Sequence, residues 1–143
     1  ICVATFGKQN EIVLPLTEQW GPAEQVKLYR TLDDCADQGT PDHLALQMLQ
    51  EEMQKSPSKE DPKMHRAVLM FADGGSDNTG LVREELERIR SSGTVAGGFG
   101  ITASGRAMEA VYAPDGTTIE SIEQLPDIGV RYVVNLLKEW YNI

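Results

Sequence analysis

The amino-acid sequence predicts an α/β fold: a doubly wound, mostly parallel sheet with one antiparallel edge strand and helices on both faces. Two observations carry this prediction. β-rich and helical stretches alternate along the chain in an order typical of such sheets. Residues 67–71 form an uninterrupted apolar run, as in a strand covered on both faces. A length of 143 residues suits one compact domain, so we expect a single domain over residues 1–143.

The chain opens with a predicted hairpin. Residues 1–6 and 11–16 are β-rich, and the glycine and asparagine of segment 7–10 favour a turn between them. Pro15 marks the second strand as an edge strand. Because residue 1 already has the character of mid-strand sequence, we expect the natural N-terminus to lie upstream.

Two helices are predicted next. The first runs from Gly21-Pro22 through Asp37, and its apolar residues recur at helical spacing: Val26, Tyr29, Leu32 and Ala36. The second begins at Thr40-Pro41-Asp42, with Thr40 as the expected N-cap and Pro41 in the first turn.

The remaining elements follow the buried run. We expect residues 66–72 to be a central parallel strand that ends at the polar, Gly-rich turn 73–78. A helix then presents Leu81, Val82, Leu86 and Ile89 inward. Strands are expected at 94–102 and 107–112. A terminal helix over 128–140 has a predicted inward face of Val130, Val133, Val134, Leu137 and Trp140.

The composition narrows the class of partner. A formal net charge of -9 repels phosphate backbones, and the sequence has no stripe of Lys and Arg, so nucleic acid is not expected to bind. No apolar run approaches the roughly 20 residues of a membrane span, which predicts no membrane insertion. A cytoplasmic location is favoured.

Polar side chains that could coordinate a metal ion lie in the loops between predicted strands and helices. Ligands of doubly wound sheets gather at the C-terminal ends of the strands, which points to residues 73–78 and 39–40. The carboxylate of Asp73 suits a hard cation, or caps the following helix or serves the turn. Thr40 offers a hydroxyl, or serves only as a cap. Ser76 and Asp77 reach a cation or a partner's polar group, or serve the turn.

Several segments resemble, in order and spacing, successive pieces of a von Willebrand factor A-type (vWA) domain. The resemblance covers essentially the whole chain. Its pieces are Ala4-Thr5-Phe6-Gly7, Val13-Leu14-Pro15-Leu16-Thr17, Gly39-Thr40-Pro41, Val68-Leu69-Met70-Phe71-Ala72-Asp73-Gly74, the strand Val95 to Ile101 and Leu125-Pro126.

The resemblance implies a metal-ion-dependent adhesion site (MIDAS) that binds Mg²⁺ through three loops. Thr40 and Asp73 match the family's Thr and Asp. The Asp-x-Ser-x-Ser motif has no counterpart, and the chain lacks the family's first strand and helix. Those parts lie upstream, or another chain supplies them, or this member does not bind metal in the family's way.

Three hypotheses about function remain open. The first is a protein-binding module whose divalent-cation site, with Thr40 and Asp73 as ligands and Ser76 and Asp77 on the rim, engages a partner's acidic group. The strand end Phe99-Gly100-Ile101-Thr102 and Leu125-Pro126 resemble prokaryotic members that work beside AAA-type ATPases, which extends the expectation to such a partner. The second is a structural or scaffold domain with a degenerate site and no metal. The third is a small-molecule enzyme that uses the Asp73 loop. An enzyme is not expected, because the sequence offers no paired nucleophile and base.

Overall fold

The computed structural model describes residues 2–142 except residues 8, 18, 19, 35–38, 57–60 and 62. The chain divides into two compact units. The first comprises Ile1–Val68 and Ser76–Val95, and the second comprises Leu69–Gly75 and Ala96–Ile143. The single domain expected from the sequence stays a prediction.

The first unit begins with the predicted hairpin. Strands β1 (Val3–Thr5) and β2 (Glu11–Leu14) pair antiparallel, with Val3 opposite Leu14 and Thr5 opposite Glu11. They form a two-stranded sheet of their own, whereas the sequence analysis expected one antiparallel strand at the edge of the main sheet.

The described residues of the first unit also form three helices: α1 (Pro22–Asp34), α2 (Asp42–Gln54) and α3 (Thr79–Ser91). The predicted extension of α1 to Asp37 concerns residues outside the described part. Val26 and Tyr29, expected at helical spacing on one apolar face, are 50% and 72% exposed. On α3, Val82, Leu86 and Ile89 are buried as predicted, whereas Leu81 is 40% exposed.

Polar side chains also join elements of the first unit. The buried carboxylate of Glu85 on α3 accepts a hydrogen bond from Gln47 of α2 at 2.6 Å and another from Arg88 at 2.8 Å. Glu52 of α2 accepts from Lys55 at 2.8 Å and from the Leu16 N–H at 3.3 Å. These two donors, Lys55 first, hold the pKa of the Glu52 carboxyl below its ordinary value.

Most residues of a three-stranded parallel sheet belong to the second unit. Its strands are β3 (Ala67–Ala72), β4 (Val95–Ile101) and β5 (Gly116–Ile119), in that order across the sheet. β4 and β5 pair in parallel, with Ile101 opposite Ile119. The α/β class and the parallel sheet predicted from the sequence are confirmed, and the arrangement is Rossmann-like.

The position expected for the apolar run 67–71 was wrong. β3 is an edge strand of this sheet, and its burial alternates: Val68, Met70 and Ala72 are buried, whereas Phe71 is 41% exposed. β4 occupies the centre, and its residues from Ala96 to Gly100 are buried without interruption. Its glycines make the sequence of β4 less hydrophobic than that of β3. They leave room for neighbouring side chains such as that of Tyr112, which contacts Gly98.

The strand expected at 107–112 was also wrong. Residues Ala107–Val111 form a short helix, α4, and the strand β5 begins only after the turn 113–115. Ala107, Met108 and Ala110 are good helix formers, and their apolar character had been mistaken for that of a strand.

The terminal helix α5 (Leu125–Tyr141) is confirmed as an element, but its inward face was misassigned. Leu136 is buried, and the ring of Tyr132 meets Phe99 of β4 edge-on, with centroids 5.1 Å apart. Of the residues expected inside, Trp140 is half-buried. The other four are exposed: Val130 by 64%, Val133 by 43%, and Val134 and Leu137 by 40% each. No helix in the described part of the chain combines the length and apolar character of a membrane span.

Candidate functional site

Asp73 follows β3 directly, at the C-terminal edge of the parallel sheet, and its side chain is exposed. The alternative that Asp73 caps the next helix is wrong. α3 begins at Thr79, and its N-cap is Asn78, whose side chain accepts a hydrogen bond from the Leu81 N–H at 3.1 Å. The Asp73 carboxylate therefore has no capping role at α3.

The loop that carries Asp73 lies against the segment after β4. A side-chain carbon at Gly105 would come within 2.9 Å of the Ala72 carbonyl oxygen and 2.5 Å of the Gly100 backbone. Gly75 likewise lies near Ala107, at 3.6 Å from its would-be side-chain carbon. Glycine at position 105 thus allows residues 102–107 to pack against the end of β3.

Thr102 is a candidate that the sequence analysis missed. It directly follows β4 and has φ of 65° and ψ of -177°, a conformation that β-branched residues rarely adopt. Two backbone hydrogen bonds fix it there: its N–H donates to Ile119 at 2.7 Å, and its carbonyl accepts from Gly105 at 3.2 Å. The Thr102 side chain is exposed at the same sheet edge as Asp73, and backbone strain of this kind clusters at functional sites.

The first unit brings together a second set of the predicted residues. The Asp77 N–H donates to the Thr40 carbonyl at 3.0 Å, so these two loops are joined. Gly39 has φ of 79°, and a side-chain carbon there would lie 2.9 Å from an Asp77 carboxylate oxygen. Both the backbone conformation and the close approach of Asp77 therefore require glycine at position 39.

Thr40 is not the N-cap of α2. That position belongs to Pro41, and no side chain caps the helix. The neighbouring Asp42 is fully buried, and its carboxylate accepts a hydrogen bond of 2.5 Å from the Ser76 hydroxyl. The Ser76 hydroxyl is thus directed at Asp42 and supports the loop. Its expected place on a binding rim stays a prediction.

Thr40 belongs to the first unit and Asp73 to the second. Their expected convergence on one cation stays a prediction. Among the residues that the structure describes, no three His, Cys, Asp or Glu side chains form a group able to hold a metal ion. One carboxylate and one hydroxyl are fewer protein oxygens than tight Mg²⁺ binding needs, so other groups would have to complete the coordination.

Comparison with protein-family models and with curated proteins finds no match for this chain. The vWA resemblance therefore rests on the quoted segments alone and stays a hypothesis.

Proposed function

We propose that this chain is a protein-binding module of vWA type, in which Asp73 and Thr40 provide oxygen ligands to a divalent cation. An acidic group of the protein partner completes the coordination. One observation carries the proposal: an exposed carboxylate, not used as a cap of α3, stands at the C-terminal edge of a parallel sheet.

The donor chemistry favours a hard cation, because carboxylate and hydroxyl oxygens are ligands of Mg²⁺. Mg²⁺ in proteins is commonly held by one or two carboxylates, with waters and groups of the bound molecule in the other positions. Binding by this chain alone is therefore weak, and the partner's carboxylate strengthens it. This dependence would couple the cation to partner binding.

The neighbouring residues give the proposed rim its shape. The hydrogen bond from Asp77 to the Thr40 carbonyl holds the Thr40 loop in place. Ser76 supports the loop by its hydrogen bond to the buried Asp42. Asp77 is exposed and available to a partner's basic or hydroxyl group.

A partner ATPase of AAA type is the narrower form of this proposal and rests on the family resemblance alone. A structural or scaffold domain with a degenerate site is the alternative. The alternative predicts that the cation has no preferred position on the chain, so one experiment separates the two.

The test is a titration of ¹⁵N-labelled chain with Mn²⁺, a paramagnetic stand-in for Mg²⁺, followed by NMR line broadening. We expect amides near Asp73 and Thr40 to broaden first, and Asp73→Asn to remove that preference. Repeating the titration with a short glutamate-containing peptide, as a stand-in for the partner's acidic group, should increase the affinity for Mn²⁺.

Glu139→Gln is the matched control, because it removes one exposed carboxylate near the end of α5 and leaves the sheet edge unchanged. The amide signals of this variant should broaden in the same order as those of the unmodified chain. Broadening spread over all acidic surfaces, or unchanged by Asp73→Asn, would contradict the metal site and favour the scaffold alternative.

A further inference from the structure

A single turn of 3₁₀ helix, Ala103–Arg106, follows β4 and lies against the end of β3. Gly105 allows this approach, because a side-chain carbon at that position would come within 2.9 Å of the Ala72 carbonyl oxygen. Asp73 follows Ala72 directly, and Arg106 follows Gly105. A carboxylate and a guanidinium therefore extend from neighbouring backbone segments at the C-terminal edge of the sheet, both within the second unit.

Arg106 is exposed, and its positive charge is not used in an internal ion pair. Within the part of the chain that the structure describes, no carboxylate lies at ion-pair distance from its guanidinium. The other basic residues in the sequence of the second unit are Arg131 and Lys138, and both lie on α5. Arg106 is thus the basic residue next to the Asp73 loop, in a chain whose net charge is -9.

We propose that Arg106 binds the partner's carboxylate at the cation site and so determines that an acidic partner is selected. This inference rests on the proposed function, in which Asp73 is a ligand of the cation. The planar guanidinium donates two parallel hydrogen bonds to a carboxylate, a geometry that an ammonium group does not provide. An ionised carboxylate has about four lone-pair sites, so it can accept from Arg106 and coordinate the cation at the same time.

The same residue makes binding of the cation depend on the partner. Without the partner, the guanidinium and the cation are like charges at one edge of the sheet, and their repulsion weakens binding of the cation. The partner's carboxylate attracts both charges and removes this penalty. Arg106 therefore lowers the affinity for the cation alone and increases the gain in affinity that the carboxylate produces. Two effects of opposite sign would not follow from a purely structural role of this side chain.

Titration of ¹⁵N-labelled chain with Mn²⁺ at low ionic strength, with and without a glutamate-containing peptide, tests the proposal. In Arg106→Gln, Mn²⁺ alone should bind at least about twofold more tightly, because a like charge is removed. The gain in Mn²⁺ affinity produced by the peptide should fall at least about threefold in this variant. Arg106→Lys keeps the charge without the planar group, so Mn²⁺ alone should bind as in the unmodified chain, whereas the peptide's gain should be smaller.

Lys138→Gln is the matched control, because it removes one exposed positive charge in the last turn of α5 and leaves the sheet edge unchanged. If Mn²⁺ shows no preference for the amides near Asp73 in the unmodified chain, the proposed function fails and this inference fails with it. If that preference is present and Arg106→Gln changes both affinities no more than Lys138→Gln does, only the role of Arg106 is overturned. A peptide with glutamine in place of glutamate that gives the same gain also overturns it, because no carboxylate would then be recognised.

Discussion

Asp42 is a carboxylate with no exposed surface, and burial of such a group is costly unless hydrogen bonds compensate it. One of its donors is Ser76, which lies 34 positions further along the chain. The pair thus ties the start of α2 to the loop before α3. Because Thr40 and Asp77 flank the same two segments, the Asp42–Ser76 hydrogen bond fixes the position of both candidate residues.

Ser76→Ala should lower the free energy of unfolding by about 1–3 kcal/mol, since it removes a donor from a buried charged acceptor. Urea denaturation followed by circular dichroism measures the loss. Ser104→Ala, at an exposed serine with no such role, is the control and should change stability by less than about 0.5 kcal/mol. In a double-mutant cycle, Asp42→Asn and Ser76→Ala should couple by at least about 0.5 kcal/mol; additive effects would contradict the pairing.

Local sequence placed the candidate segments but not the contacts of their side chains. Gly39-Thr40-Pro41 marks a helix start, and Asp73 follows an apolar run, so both positions were predictable. The burial of Asp42 and the strained backbone of Thr102 depend on residues far away in the sequence, Ser76 and Ile119 respectively. No spacing rule connects such pairs.

At the scale of an element, α5 shows why periodicity alone did not identify the buried face. Apolar residues cover about two-thirds of its circumference, at 100° per residue. One stripe contains Tyr132, Leu136 and Trp140, which are buried or half-buried. A neighbouring stripe contains Val130, Val133, Val134, Leu137 and Tyr141, all exposed. Both stripes satisfy the helical repeat, so only packing against β4 distinguishes them.

Two adjacent leucines of α5 provide a matched test of this orientation. Leu136 is 6% exposed and Leu137 is 40% exposed. Leu136→Ala should destabilise the chain by about 2–5 kcal/mol, because it removes buried methyl groups and leaves a cavity. Leu137→Ala should cost clearly less. Denaturant midpoints of the two variants decide the matter, and equal or reversed losses would show that the helix is rotated.

The order of the strands in the sheet was likewise not predictable from the hydrophobicity of each segment. β3 has the most hydrophobic sequence and lies at the edge, whereas the glycine-bearing β4 lies in the centre. Its glycines reflect close approach of neighbours, such as Gly105 against Gly100. Hydrophobicity predicted that both segments are strands, but strand order is decided by long-range pairing.

At the scale of the whole molecule, the net charge of -9 complicates any test of a cation site. Like charges repel one another in the compact state, and any salt relieves that repulsion. Raising the ionic strength from 0.01 to 0.1 M shortens the screening length from about 30 to about 10 Å. We therefore expect NaCl alone to raise the melting temperature, without any specific site.

Specific binding is measured by the additional rise in melting temperature that Mg²⁺ produces over Na⁺ at the same ionic strength. A ligand that binds only the folded chain stabilises it by about 1 kcal/mol when its concentration is several times Kd. For a chain of this size, this corresponds to about 2–4 °C in Tm. Thermal melts in MgCl₂ and NaCl of matched ionic strength should show this excess for the unmodified chain and for Glu139→Gln, but not for Asp73→Asn.

Because both variants remove one negative charge, general screening changes equally in each. An excess that persists in Asp73→Asn would therefore assign the cation effect to the acidic surface as a whole and not to the edge of the sheet.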